Sequence, residues 1–510
     1  MALLNDLPNE LLLQIIEYFK GQSPTLARVC RVSRKWKDIA TDTLYTEATL
    51  SKTPWKYHDL VRRLLTHGDL MRHLKTLNVA WMAGGNYTYD RGEDTVSDAP
   101  ELIGKCTAHI IQMAAPVKIT GHLIGDLVHG RRSAFTEIAL HLLPNLQKLS
   151  IRVMDYTESP VSEDNDLLKR LYGLESDRFD RADLSALRGG LHHLTHLCIP
   201  VAHFNLLRFF YLPHLRSLKL DLTDIYGSNL GVRSLDRTIM PIASTNGVED
   251  LSIQSDCNEI VPEWASFFVT PHILQCLHIN GSLNGRRHLL KRFEIQFTPG
   301  SCHRICGSDR SFQALVESLA PASMEIEILR VDLSLIYPYR KKPASYLSGI
   351  DPVTSLSDFR NLRNLEVPQE FLVHRNFRRK PHPEDDLRLV LPSSIEILSI
   401  ICPDGMTIMW LLQLLEVLDY FKALRMLVLA CRPHHGRPSS WFKKRCNPVF
   451  DKFRDRGIYV RIYDAELPPE PSQPPWVLER FDLLGESCDY WDPCNDYRNS
   501  LGILKLFGED

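Results

Sequence analysis

Two thiols and an imidazole fall within five residues at Cys302-His303-Arg304-Ile305-Cys306, donors of the kind that hold zinc. A structural zinc site needs four ligands, and no second Cys or His pair follows at finger spacing. The segment therefore reads as a loop carrying free thiols. His192-His193 with His196, and His434-His435, read as polar loop residues. Gly121-His122-Leu123-Ile124-Gly125-Asp126 offers two glycines where a dinucleotide-binding turn needs three, and reads as a turn. The sequence contains no Gly-x-x-x-x-Gly-Lys phosphate loop, no His-Glu-x-x-His and no Gly-x-Ser-x-Gly. The expectation is a chain that performs no catalysis and holds no cofactor or metal.

Cationic groups are the other chemistry on offer. They cluster at Arg286-Arg287 with Lys291-Arg292, at Arg340-Lys341-Lys342, from Arg375 to Lys380, and at Lys443-Lys444-Arg445. Such runs are ordinarily solvated faces, and the functional alternative is pairing with acidic or phosphorylated segments of a protein target. With 60 Lys and Arg against 62 Asp and Glu, the net charge of −2 supplies no long-range pull toward nucleic acid or an anionic membrane. A protein partner is expected, with neither nucleic acid nor membrane.

The elements that must present such a partner begin at the front of the chain. Pro8 suits the first turn of a helix and Glu10 complements its dipole. Leu11, Ile15 and Phe19, with Leu12 and Ile16, make a broad apolar stripe that Gly21 ends. Ser23 and Pro24 start a second helix with an apolar face of Leu26, Val29, Cys30, Ser33 and Trp36. Two helices of this size rarely stay folded alone without a staple, and Cys30 is the only cysteine there. Their apolar faces must be covered by the rest of the chain or by another protein.

Leu7-Pro8-x-Glu10-Leu11, Ile15, and Val32-x-x-x-Trp36 together resemble an F-box, the module through which substrate-recruiting subunits engage the Skp-type adaptor of cullin-RING ubiquitin ligases. The resemblance implies that Leu7, Pro8, Leu11, Ile15, Val32 and Trp36 carry adaptor docking or hold its helices. It also implies a cullin scaffold reached through the adaptor, and an unknown protein substrate. The alternatives are that these helices cap the array behind them, or that the chain is an interaction scaffold without a ligase role.

Behind this module an apolar triplet at i, i+3 and i+5 recurs. It appears as Leu74/Leu77/Val79, Leu146/Leu149/Ile151, Leu194/Leu197/Ile199, Leu215/Leu218/Leu220 and Val248/Leu251/Ile253, and continues as Leu274/Leu277/Ile279, Ile326/Leu329/Val331, Leu362/Leu365/Val367, Ile395/Leu398/Ile400 and Leu424/Leu427/Leu429. The last two members alternate inward from a short strand, as in a leucine-rich repeat. Candidate helices at 101–115, 134–143, 203–212, 310–320 and 406–421 lie between triplets, some closed by a proline such as Pro144 or Pro213. The phrasing is uneven: Leu77 and Leu149 lie 72 residues apart, Leu197 and Leu218 only 21. Positions such as Met82, Thr223, Asp256 and Ser334 lack the asparagine of regular repeats.

The predicted fold is α/β: a small helical F-box at 1–48, an irregular leucine-rich-repeat-like solenoid with parallel strands at 49–464, and a Pro-rich spacer with a C-terminal segment docked on the array at 465–510. Polar insertions are expected at 84–100, 155–183, 337–352 and 374–386. Met1 to Asp6 lacks a basic secretory region, Met406 to Phe421 is too short and polar to span a bilayer, and the twelve cysteines show no framework spacing. The expected location is cytoplasm, nucleus or both.

Overall fold

The computed structural model describes residues 7–19, 23–50, 55–68, 70–82, 99–112, 117–128, 132–154, 191–200, 212, 214–221, 248–255, 290–297, 312–332, 351–373, 386–431 and 438–464. The chain separates into two units, Met1–Ala465 and Glu466–Asp510, and every described residue belongs to the first. The predicted docking of 465–510, the Cys302–Cys306 loop, His434-His435, and most of the helix at 203–212 and of the polar insertions lie outside the described residues.

The first module contains three helices rather than two: α1 (Asn9–Tyr18), α2 (Ser23–Val29) and α3 (Arg34–Tyr45). The predicted second helix breaks because Ser33 adopts extended backbone and its hydroxyl accepts a hydrogen bond from Trp36 N at 3.3 Å. Ser33 is thus a cap and not part of an apolar face. Leu12, Ile16, Leu26, Trp36 and Ala40 form a small core of their own, with Ile15, Phe19, Val29 and Leu44 packed around it.

From here the chain builds one sheet of twelve strands in strict chain order, every pair parallel. The strands are β1 (Glu47–Leu50), β2 (Thr76–Met82), β3 (Lys148–Met154), β4 (His196–Pro200), β5 (Ser217–Asp221) and β6 (Asp250–Ser255), followed by β7 (Arg292–Phe297), β8 (Ile328–Asp332), β9 (Asn364–Pro368), β10 (Ile397–Ile401), β11 (Met426–Cys431) and β12 (Tyr459–Asp464). Helices α4 (Trp55–Thr66) and α5 (Leu70–His73) follow β1, and α6 (Ala99–Gln112), α7 (Val117–Val128) and α8 (Arg132–His141) follow β2. Later come α9 (Phe312–Ser318), α10 (Gln369–Leu372), α11 (Leu387–Val390), α12 (Gly405–Glu416), α13 (Ser439–Arg445) and α14 (Asn447–Asp455). The arrangement is an α/β solenoid.

Register explains the triplets. Leu77, Leu149, Leu197, Leu218, Leu251, Phe293, Leu329, Leu365, Leu398, Leu427 and Val460 align as one buried column across successive strands. The i residues, from Leu74 through Leu424, are buried too and turn the chain into each rung. After β6 the next rung is Leu290/Phe293/Ile295, paired directly with β6. Leu274/Leu277/Ile279 lies outside the described residues. Gly121 to Asp126 sits within α7 and is not a turn, and a Cβ at Gly125 would meet nothing within 4 Å. A helix interior accepts glycine at modest cost where tertiary packing holds the helix.

The residue before each strand carries a second regularity. From β1 to β10 its carbonyl accepts two N–H groups from the following rung, as Lys75 does from Gln147 (2.8 Å) and Lys148 (2.9 Å), whereas Arg425 before β11 accepts one, from Tyr459 (2.8 Å). From β5 to β11 this position reads Arg216, Glu249, Lys291, Glu327, Arg363, Glu396, Arg425, alternating in sign at every step. Lys291 Nζ lies 3.1 Å from Glu249 and Arg363 Nε 3.8 Å from Glu396. Exposed pairs of this kind stabilise little individually, and a strand paired one rung out of order would set like charges side by side.

Candidate functional site

On α1 a helical repeat of 3.6 residues separates two stripes. Leu12 and Ile16 point into the module core, while Leu11, Ile15 and Tyr18, at i, i+4 and i+7, share the neighbouring face. Leu11 is 44% exposed and Tyr18 80%, with Ile15 half-buried between them. Leu13, also exposed, lies on the opposite flank of the buried stripe.

Leu7 is half-buried, and its carbonyl accepts Lys35 Nζ at 2.8 Å, tying the entry of α1 to α3. Pro8 is exposed at the head of α1, and its carbonyl accepts Leu11 N and Leu12 N, both at 3.1 Å. Val32, in the turn before α3, is 66% exposed. Trp36, by contrast, is buried in the module core. Of the six residues singled out by sequence, Leu11, Ile15 and Val32 offer apolar surface, Leu7 and Pro8 shape the start of α1, and Trp36 holds the helices together. Tyr18 escaped the sequence reading, which extended the stripe from Ile15 to Phe19. The i+7 spacing from Leu11 is the signal that finds it.

The second surface of interest is the sheet face opposite the buried columns, where alternate strand residues emerge. On β7 to β9 it carries an ion network around Arg330. Its guanidinium lies 3.4 Å from Glu294, 3.5 Å from Asp332 and 3.2 Å from Glu366, and Arg292 reaches Glu294 at 3.5 Å. Burial, reinforced by Asp332 and Glu294 and opposed by Arg330, raises the Glu366 pKa above the usual carboxylate range. On β10 and β11 the same face carries Ile397, Ser399 and Met426, half-buried, with Ile401, Val428 and Ala430 buried.

The rings of His192, His193 and His214 lie 5.3 to 6.0 Å apart in neighbouring turns. Among the described residues no group of three His, Cys, Asp or Glu is arranged to hold a metal ion. Of the basic clusters, Lys291-Arg292 belongs to the charge rows already described, and Lys443-Lys444-Arg445 forms the last turn of α13, where cations complement the helix dipole. No helix among the described residues is long and apolar enough to cross a membrane, and no disulfide joins the described cysteines.

Comparison with known proteins gives three results. No curated protein matches the chain. A solved structure of a Bacteroides fragilis protein is similar at 11% identity, covering 85% of this chain and 78% of that one, with a TM-score of 0.31, a likeness too distant to bear on function. Residues 4–51 match the model of the F-box-like family. Helices α1 to α3 and strand β1 therefore make up an F-box-like domain, followed by a twelve-stranded parallel α/β array.

Proposed function

We propose that this chain is a substrate receptor of a cullin-RING ubiquitin ligase, docking a Skp-type adaptor through its F-box-like domain and a protein target through its array, whose rungs act as degenerate leucine-rich repeats. The observation that carries the reading is the state of the domain's apolar residues. Its core is complete, yet Leu11, Tyr18 and Val32 remain in water, with Ile15 half-covered. An apolar stripe left open by its own molecule, on a domain matching this family, suits a foreign subunit.

The chain's role is proximity and not chemistry. Holding a target and a charged ubiquitin-conjugating enzyme in one assembly raises their effective concentration without a reacting group from this protein. Co-purification with a Skp-type adaptor tests the reading. Wild type is expected to retain the adaptor, and Leu7→Ala/Pro8→Ala with Leu11→Ala to lose it. Absent binding by wild type, or equal binding by both, overturns the proposal. Adaptor binding with no ligase-dependent change in any bound protein would instead identify an interaction scaffold.

A further inference from the structure

We infer that the F-box-like domain is also the N-terminal cap of the array, so that occupancy of its partner face and the integrity of the first rungs form one linked equilibrium. The identity of the partner rests on the adaptor reading above; the cap itself does not.

The first observation is where the hydrogen-bond ladder begins. From β1 to β10 one carbonyl before each strand accepts two N–H groups from the next rung, and the first of these carbonyls belongs to Thr46, which accepts Lys75 N and Thr76 N, both at 2.9 Å. Thr46 is also the residue that ends α3, and its hydroxyl donates back to the Asp42 carbonyl. It is the only residue between helix and strand. The domain and the array are therefore joined without a linker.

The second observation is that β1 belongs to both. It lies within the stretch matching the F-box-like family, yet it is the outermost strand of the sheet, pairing Glu47 with Thr76 through Leu50 with Val79. Leu50 is buried in the array's core and Ala48 packs against it. Cross-links of other kinds reinforce the junction: Asn78 Nδ2 donates to Glu47 Oε1 at 2.7 Å, and His73 Nδ1 lies 2.9 Å from Asp42 Oδ1, linking α5 to α3.

The end strand of a parallel array is where the sheet frays unless a neighbouring element holds it in place. Here α3 sets the position of that strand. Any partner that binds only the folded domain must then stabilise β1 and β2, in proportion to its occupancy.

The test is amide hydrogen exchange on the full chain, comparing wild type with a variant carrying Gly-Ser-Gly-Ser inserted between Thr46 and Glu47. In wild type, adaptor at about a hundredfold over its Kd is expected to slow exchange at 47–50 and 76–82 by up to about 100-fold, with 397–401 unchanged. The insertion should preserve adaptor binding and abolish that slowing. Protection confined to 9–45 in wild type, or slowing that survives the insertion, overturns the inference. If wild type does not bind adaptor, the adaptor reading fails and the cap is read directly: faster exchange at 47–50 and 76–82 on insertion supports it, and unchanged rates overturn it.

Discussion

In the F-box-like domain five side chains, Leu12, Ile16, Leu26, Trp36 and Ala40, are sealed, while Leu11, Leu13, Tyr18 and Val32 face water. In the array the balance reverses: one buried cluster runs from Leu50 to Ile462, fed by every rung, and large exposed apolar residues are scattered. A three-helix unit cannot seal all its apolar surface, and side chains such as Leu11, Tyr18 and Val32 stay in water. A stacked array shares each inward side chain between neighbouring rungs and so tolerates insertions between them.

The sharpest way to break this contrast is Trp36→Ala. Removing the largest side chain of a five-residue core should cost about 3–5 kcal/mol, enough to unfold the domain. Adaptor co-purification should be lost while amide protection in β8 to β12 persists. A single transition that unfolds the whole chain would show that the two regions are not separable.

Leu398→Ala is the counterpart in the array. It should cost about 2–5 kcal/mol, loosening β9 to β11 while adaptor binding is retained. Urea denaturation with exchange at the two sites distinguishes these outcomes.

A pH effect is expected in the array. Burial, with a smaller contribution from His109, pushes the His141 pKa down to about 4. The unfolded chain binds the proton more readily, near pH 6.5, so stability is full above that pH and is lost as pH falls toward 4. Between pH 7 and 5 the α6–α8 layer should lose about 2 kcal/mol. His141→Gln should flatten that slope, as measured by urea denaturation at the two pH values.

The smallest effect expected is at Gly457, φ +81, which ends α14 with Ile458 N bonded to Phe453 O at 3.0 Å and Gly457 N to Arg454 O at 2.8 Å. A Cβ there meets nothing within 4 Å, so Gly457→Ala should lower stability by the backbone term alone, about 1 kcal/mol. A larger loss would mean that β12 depends on this turn more than on its pairing with β11.

Much of the array was legible because its rungs repeat an i, i+3, i+5 pattern. The three rungs that went unread show why the rest was not. β1 fills the pattern with Tyr45, Ala48 and Leu50, β7 places Phe293 at its centre, and β12 begins from Gly457. Each keeps the inward alternation while changing the residue types a reader looks for. In the F-box-like domain, the motif located Leu7, Pro8, Leu11, Ile15, Val32 and Trp36, but composition could not separate outward Val32 from inward Trp36.

Sequence alone determined the helical module and the inward face of nine of the twelve rungs, because both are local periodicities written within a few residues. Tertiary structure decided which rung follows which across gaps such as Val79 to Lys148, since loop length changes closure entropy only logarithmically and leaves the neighbour unspecified. It also decided that α3 runs straight into the first strand, a junction made by two N–H groups that reach the Thr46 carbonyl from some thirty residues further along the chain.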